Sequence, residues 1–389
     1  MLRVRFVIAF LLYYSISSYS QQVTVDVSGS GSMIQLLNEI KANVSQSVIE
    51  KRLDSILNTR PYQFMFQHYN RSWRPNTLPK DVFKRMILSL KWPHLYEQGE
   101  NVVADYMKEL WTDFYVGLSE YERRFAQLND PKLNTYIQQG INYAQQWLPP
   151  NMKVPDFYLA ILPVGRSNAF VFNGSQGYDF LQLPLDSAGN LKLVELVGTI
   201  AHESHHLGLK LPVLSNLSAK DSLLFDYLKV FLPEGSATKL IDNFPGGHTP
   251  VVNKKKGYLF DPEIDSLWKM YTANEKELFN TMIAQFGGIA AGTINRDSLN
   301  KLIGGYWING AAKPPLYFWG AELVGVIYTG LGKPAVFKVM NDPRKLFAFY
   351  NQALKKKPSL QKYFSPIPDS IVAISNNIGN GDRDKSKSK

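Results

Sequence analysis

The sequence predicts an α+β protein that is predominantly α-helical, on three observations. Helical periodicity runs through the first part of the chain, short β-type runs cluster between residues 157 and 183, and helical periodicity then resumes to the end. With 389 residues, 45% hydrophobic and 13% aromatic, the chain can bury a sizeable core as one large domain or two smaller ones.

Residues 1–20 have the three parts of a secretory signal peptide. Arg3 and Arg5 come first, then an apolar run from Phe6 to Leu12, then polar Ser15 to Ser20, with small Ser18 and Ser20 where a cleaving enzyme needs them. The apolar run is far short of the ~20 residues of a spanning helix. Cleavage after Ser20 is expected, giving a secreted or periplasmic protein with no stable membrane span left. The Ser/Gly stretch Ser28 to Ser32 reads as a spacer behind that cut.

An N-terminal helical region, residues 21–150, is predicted from the helical runs Met33 to Leu57, Val82 to Leu90, Val102 to Leu128 and Leu133 to Leu148, the last stopped by Pro149 and Pro150. A second region, residues 151–375, opens with "FYLAIL" (Phe157 to Leu162), "AFVFN" (Ala169 to Asn173) and "YDFLQL" (Tyr178 to Leu183). Gly-rich turns separate these runs, so a small antiparallel sheet is expected. "NGSQG" (Asn173 to Gly177) lacks the G-x-S-x-G spacing of a nucleophile elbow and reads as a turn. Helices follow at Leu191 to Leu207, Ala219 to Phe231, Ile264 to Phe286, Leu316 to Thr329 and Arg344 to Leu354, and residues 376–389 read as a disordered basic tail.

The chain has no cysteine. That excludes disulfides, a lipid anchor, a cysteine nucleophile and cysteine zinc ligands, and leaves stability to an ordinary core, helped by bound metal. The formal charge is +10, of which Arg3 and Arg5 supply two. Part of the rest sits in short clusters, Lys254 to Lys256, Lys355 to Lys357 and the tail. No basic stripe interleaves with aromatics, so these are solvated loops and no nucleic-acid partner is expected.

The chemistry is concentrated in "GTIAHESHHLGLKLP" (Gly198 to Pro212), which holds three of the chain's six histidines. On the helix predicted there, with Asp186 or Ser187 as its cap and Gly208 as its stop, His202 and His206 fall about 40° apart, one turn from each other. Leu193, Leu196, Val197, Ile200 and Leu207 gather on the opposite face. One reading makes the histidines the solvated face of an amphipathic helix. The sharper one takes His202-Glu203-Ser204-His205-His206 as the H-E-x-x-H zinc signature, with His202 and His206 as ligands. His205 points about 60° away from His202 and reads as a structural neighbour.

A catalytic zinc takes a third protein ligand and leaves its fourth position for water. The downstream candidates are Asp221, Asp226, Glu234, His248 and Glu263. Glu234 is preferred, since "FLPEGSATKLID" puts it on a helical segment beside Gly235, where a close backbone approach to the site helix is tolerated. Glu195 lies two turns from the histidines and reads as solvated or paired with a basic residue.

These residues carry a resemblance. H-E-x-x-H followed some tens of residues later by a Glu in an E-G-x-A context resembles the gluzincin metallopeptidases, the thermolysin-like clan. The HExHH form with a later Pro-Glu-Gly and "YFWGAELVGVIYTGLGKPAVF" is similar to an uncharacterised bacterial family of zinc-dependent peptidases. The likeness is specific at His202, Glu203, His206 and Glu234 and looser from about Phe157 to Tyr350. It implies a zincin-like catalytic region over residues 151–375, one Zn2+ per chain held by His202, His206 and Glu234, a peptide or protein substrate, and Glu203 as general base. The chain departs from thermolysin where an Asp is expected four residues beyond the third ligand, because Thr238 stands there. Among Tyr306, Tyr317 and Tyr328, which lie where such enzymes keep an oxyanion-stabilising side chain, Tyr317 is the choice, at the first turn of a helix able to face the cleft. A buried core aromatic is the plain alternative. The strands ahead of the site helix could take an extended peptide at their edge, or form an ordinary hairpin.

A rival of another class is a non-catalytic surface protein that keeps a metal for folding, or binds peptide or glycan without turnover. An intact Glu203 favours the enzyme, because a structural zinc site has no use for a base. Oligomeric state and substrate preference leave no mark in the sequence.

Overall fold

The computed structural model of the chain describes residues 21–71, 76–244, 247–252, 262–308 and 315–380. The expected signal segment, Lys254 to Lys256 and the end of the basic tail lie outside the described residues. Strand β1 (Val23–Asp26) leads into helices α1 (Ser28–Lys41), α2 (Gln46–Leu57), α3 (Arg60–Tyr69), α4 (Lys80–Leu88), α5 (Val102–Val116), α6 (Leu118–Gln127) and α7 (Lys132–Gln145). Strands β2 (Phe157–Leu162), β3 (Ala169–Phe172) and β4 (Ser175–Asp179) follow. The remaining helices are α8 (Leu196–Gly208), α9 (Ala219–Ser236), α10 (Pro262–Ala273), α11 (Glu275–Ala291), α12 (Arg296–Ile308), α13 (Pro315–Leu331), α14 (Lys333–Asn341), α15 (Leu346–Lys356) and α16 (Asp369–Asn377). The architecture is α+β and mostly helical, as the sequence predicts.

The sheet differs from the expected antiparallel one. Its order is β1-β2-β4-β3, with β1 parallel to β2, β2 parallel to β4, and only β3 antiparallel to β4. All six residues of β2 are buried, which is why "FYLAIL" reads as an unbroken apolar run without alternation. The "NGSQG" stretch is the turn of the β3–β4 hairpin, with Asn173 and Gly174 both at positive φ, the left-handed pair that a two-residue hairpin loop requires. The third strand is Ser175–Asp179 rather than Tyr178 to Leu183: it starts three residues earlier, straight after the hairpin turn, and ends early because Phe180–Gln182 is a 3-10 turn capped by Asp179.

The Ser/Gly stretch expected to be a spacer is the first turn of α1. Its small residues let the helix lie close on β2: Ser30 Oγ donates to the Ile161 carbonyl at 2.9 Å, and a Cβ at Gly29 would sit 3.1 Å from that of Leu162. Three of the long helices predicted from periodicity are each two helices. Met33 to Leu57 breaks at Asn43, whose left-handed conformation ends α1. Val102 to Leu128 breaks at Gly117, and Ile264 to Phe286 at Asn274. Helix α8 starts at Leu196 after a 3-10 turn at Leu193–Glu195, so neither Asp186 nor Ser187 caps it; Asp186 instead closes its own loop through the N–H groups of Ala188 and Asn190.

Helix α8 is packed on several sides. Gly140 of α7 lies so close that a Cβ there would meet Ile200 Cγ2 at 2.6 Å. Toward the sheet, Gln176 Nε2 of β4 donates to Ser204 Oγ at 3.0 Å, and Tyr178 OH donates to Gln176 Oε1 at 3.0 Å. Helices α9 and α13 pack along each other, meeting backbone to backbone at Gly235 and Gly320. Among the described residues no helix is long and apolar enough to cross a membrane. Helix α13, apolar on nearly every face, is a core helix.

Candidate metal centre

The site is assembled from α8, α9 and the turn that follows α9. His202 and His206 stand one turn apart on α8 with ring centroids 4.7 Å apart. Their side chains retain only 12% and 15% of their exposure, so they do not form a solvated face. Glu234, near the end of α9, brings Oε2 to 3.6 Å from His202 Nε2 and 3.3 Å from His206 Nε2. One ligand atom from each of the three lies within 4.8 Å of the others, and no other group of three or more such residues among the described residues does this.

These separations can be tested against an ion. Zinc–nitrogen and zinc–oxygen bonds of about 2.0–2.1 Å in a tetrahedron put neighbouring ligand atoms about 3.3–3.4 Å apart. The two distances to Glu234, 3.3 and 3.6 Å, lie at and just above that value. Glu234 Oε2 is also buried and, beyond the two imidazole Nε2 atoms that face it, has no hydrogen bond of good geometry. A buried carboxylate oxygen left without a donor is costly unless a cation completes it. Two imidazole nitrogens and one carboxylate oxygen are a borderline donor set that suits zinc. The residues present therefore fit the ion.

Electrostatics follow the same geometry. Burial would raise the Glu234 pKa, but the facing imidazoles of His206 and His202 overcome it and hold the carboxyl well below its ordinary range. Glu203 is the reverse case: burial dominates and raises its pKa, with the two imidazoles opposing and the carboxylates of Glu234 and Asp242 adding. A carboxylate so placed is a stronger base than one in water.

Asp242 was not anticipated from the sequence. Both of its carboxylate oxygens lie 3.0 Å from His202 Nδ1. An Nδ1–H donated there fixes the tautomer that turns the Nε2 lone pair toward the ion position and orients the ring. The residue four beyond Glu234, Thr238, is buried, and its hydroxyl oxygen has no hydrogen-bond partner. What brings Asp242 round is the single wide π turn Ala237–Ile241, in which the Asp242 N–H reaches the Ala237 carbonyl at 3.0 Å. Eight residues along an α-helix overshoot two turns by about 80°. A π turn absorbs one extra residue, so Asp242 sits about seven α-helical steps from Glu234, within roughly 20° of the same face.

Tyr317, at the start of α13, comes to the site. It is buried and its hydroxyl hydrogen-bonds Glu234; burial, with Glu234 and Glu203 nearby, pushes its pKa well above the ordinary value, so it stays a protonated donor. Gly235 makes the close backbone contact that the sequence suggested, but with Gly320 of α13 rather than with α8: a Cβ there would lie 2.5 Å from the Gly320 carbonyl oxygen.

Other candidates lie elsewhere. His205 is fully buried on the core side of α8, where its ring faces the Trp147 backbone, and burial lowers its pKa to about 3. Asp221 accepts the Gly379 N–H, and Asp226 pairs with Lys229 and Arg296. His248 pairs with Glu275 at 3.1 Å and stacks on Tyr363. Tyr328 packs against Trp147, and Glu195 pairs with Lys192. The side chains of Glu263 and Tyr306 lie outside the described residues. At the sheet's β3 edge the Val171 carbonyl already accepts from Arg71 Nη2 at 2.6 Å, so the edge is partly covered.

The donor set is a two-histidine, one-glutamate group of the kind that could hold a metal ion. The chain belongs to the family described as "Putative zinc dependent peptidase (DUF5700)", whose model matches residues 53–359. No curated protein and no solved structure matches it.

Proposed function

We propose that the protein is an exported zinc peptidase of the gluzincin type, with His202, His206 and Glu234 as ligands of one Zn2+ and Glu203 as general base. One observation carries this reading: one ligand atom each of His202, His206 and Glu234 lie within 4.8 Å of one another, with the two distances to Glu234 Oε2 near tetrahedral spacing, while Glu203 stays outside the cluster. Bound there, the ion supplies Lewis acidity, lowering the pKa of water towards ~7 and polarising a carbonyl. Glu203 accepts the proton of the attacking water and delivers it to the leaving amine. Asp242 keeps His202 in one tautomer, and the phenolic proton of Tyr317, given to Glu234 before substrate binds, turns to the oxygen on which charge develops. An extended peptide would enter beside the sheet where Arg71 does not cover it.

Export rests on the N-terminal signal features. Cleavage after Ser20 leaves β1 starting two residues further on, at Val23.

Glu203→Gln tests the enzyme directly. It keeps shape and the three ligands but removes the proton acceptor, so cleavage of a peptide library should fall by ~10²–10⁴-fold with zinc content unchanged. A parent that cleaves nothing and cannot be told from Glu203→Gln in binding or stability would be a metal-stabilised binding protein instead. Loss of zinc in Glu203→Gln would make that carboxylate a ligand.

A further inference from the structure

A second charged group is buried behind the metal centre, and the chemistry above does not use it. Lys239 stands in the middle of the π turn with its side chain fully buried. Its Nζ donates to the Thr249 carbonyl at 3.1 Å and to Thr249 Oγ1 at 2.5 Å. The Thr249 hydroxyl donates onward to Glu322 Oε1 of α13 at 3.3 Å. The main-chain N–H groups of His248 and Thr249 also face the Glu322 carboxylate. Burial lowers the pKa of Lys239 and raises that of Glu322, as expected for two charges taken out of water together.

The backbone around this relay is cut to fit it. A Cβ at Gly325 of α13 would collide with Thr249 Oγ1 and lie 2.9 Å from Lys239 Cε. A Cβ at Gly247, which has φ +83°, would collide with Glu322 Oε1. Such a network is a poor source of stability, because well-packed apolar side chains of similar volume usually do as well or better. Its position suggests another purpose. Lys239 is three residues before Asp242 on the same turn, and Glu322 is five residues after Tyr317 on the same helix. A π turn is an uncommon local structure, and this one spans only Ala237–Ile241.

We propose that Lys239, Thr249 and Glu322 are positioning residues for the metal centre: the relay clamps the π turn onto α13 and so holds Asp242 against His202. The relay touches no ligand and acts through Asp242, which gives the inference a signature that a merely structural role lacks. It rests on the reading of His202, His206 and Glu234 as a zinc site.

The test is a thermodynamic cycle on the full chain, with zinc affinity measured by chelator competition and the fold checked by the melting of the metal-free protein. Asp242→Asn should weaken zinc 10–100-fold, the usual effect of removing a carboxylate that orients a ligand histidine. Replacing both charges, Lys239→Met with Glu322→Leu, should leave the metal-free melting temperature equal or higher and yet weaken zinc by about tenfold. Adding Asp242→Asn to that pair should cost no more than Asp242→Asn alone, because both act on the same contact. Thr249→Val, which removes only the bridging hydroxyl, should show the same lack of additivity with a smaller loss, and it decides the matter should the double replacement not fold. Parental zinc affinity in the relay variants, or losses that multiply with Asp242→Asn, would overturn the inference while leaving the metal site standing. A parent with no zinc affinity, or one insensitive to Asp242→Asn, would overturn the site reading and this inference with it.

Discussion

Gly320→Ala probes how the site depends on the α9–α13 crossing. At present the two helices touch with no side chain between them. A Cβ built on Gly320 lies 2.8 Å from Gly235 Cα and 3.0 Å from Gly235 N, and closer still to the Phe231 carbonyl. Ordinary contact between carbon atoms is about 3.5–4.0 Å, so the helices must part by roughly 1 Å. Overpacking of this kind costs about 1–3 kcal/mol. The better helix propensity of Ala returns about 1 kcal/mol, which leaves a net loss of about 0–2 kcal/mol and a protein that still folds. The larger effect is on chemistry. Tyr317 lies one turn before Gly320 and moves with it, while His202, His206 and Glu234 sit on α8 and α9. A displacement of about 1 Å in a catalytic group costs on the order of 10²-fold. Peptide-cleavage kcat/KM, thermal melting and zinc content should therefore show a folded protein, near-parental zinc and activity down by about that factor. Tyr317→Phe should show a comparable loss, on the scale of one lost oxyanion donor, ~10²–10³-fold. Parental activity in folded Gly320→Ala would refute the role given to Tyr317.

Two further outcomes concern buried polar groups. His205→Leu removes a fully buried ring whose polar contact is the Trp147 backbone, so zinc content should be unchanged and stability should shift by no more than about 1 kcal/mol in denaturant melts; a large loss of zinc would put His205 in the site. Burial raises the Glu275 pKa to about 8, with the Glu322 charge adding to it. Its contribution to stability is complete below the unfolded-state value near 4.5 and is lost as pH rises through 8. Glu275→Gln should thus gain a few kcal/mol on the parent at pH 9 and nothing comparable at pH 5. An equal effect at both pH values would mean that Glu275 is ionised throughout.

Much of the site could be read from the sequence because α-helical geometry is rigid. Two histidines four residues apart on a helix must share a face, and the structure puts both ring nitrogens on Glu234. Tyr317 was legible from the proline pair that starts its helix. Asp242 was not, because its place depends on one extra residue in a π turn that no local pattern announces; read as an α-helix, the same spacing points it about 80° away. The relay behind it was hidden for a related reason, since Lys239, Thr249 and Glu322 lie apart in sequence and meet only where Gly325 and Gly247 leave room. Strand β1 was missed because four residues reading "VTVD" gain their meaning from pairing with β2, more than a hundred residues on. The long predicted helices hid their breaks because the apolar pattern continues through Asn43 and Gly117, where only the backbone conformation changes.

The central claim, that His202, His206 and Glu234 together hold one zinc ion, is tested most directly by metal analysis of the purified chain beside Glu234→Ala. About one zinc per parental chain, falling sharply in Glu234→Ala while His205→Leu keeps it, is the predicted result. A zinc-free parent, or a Glu234→Ala variant that binds as much zinc as the parent, would contradict it.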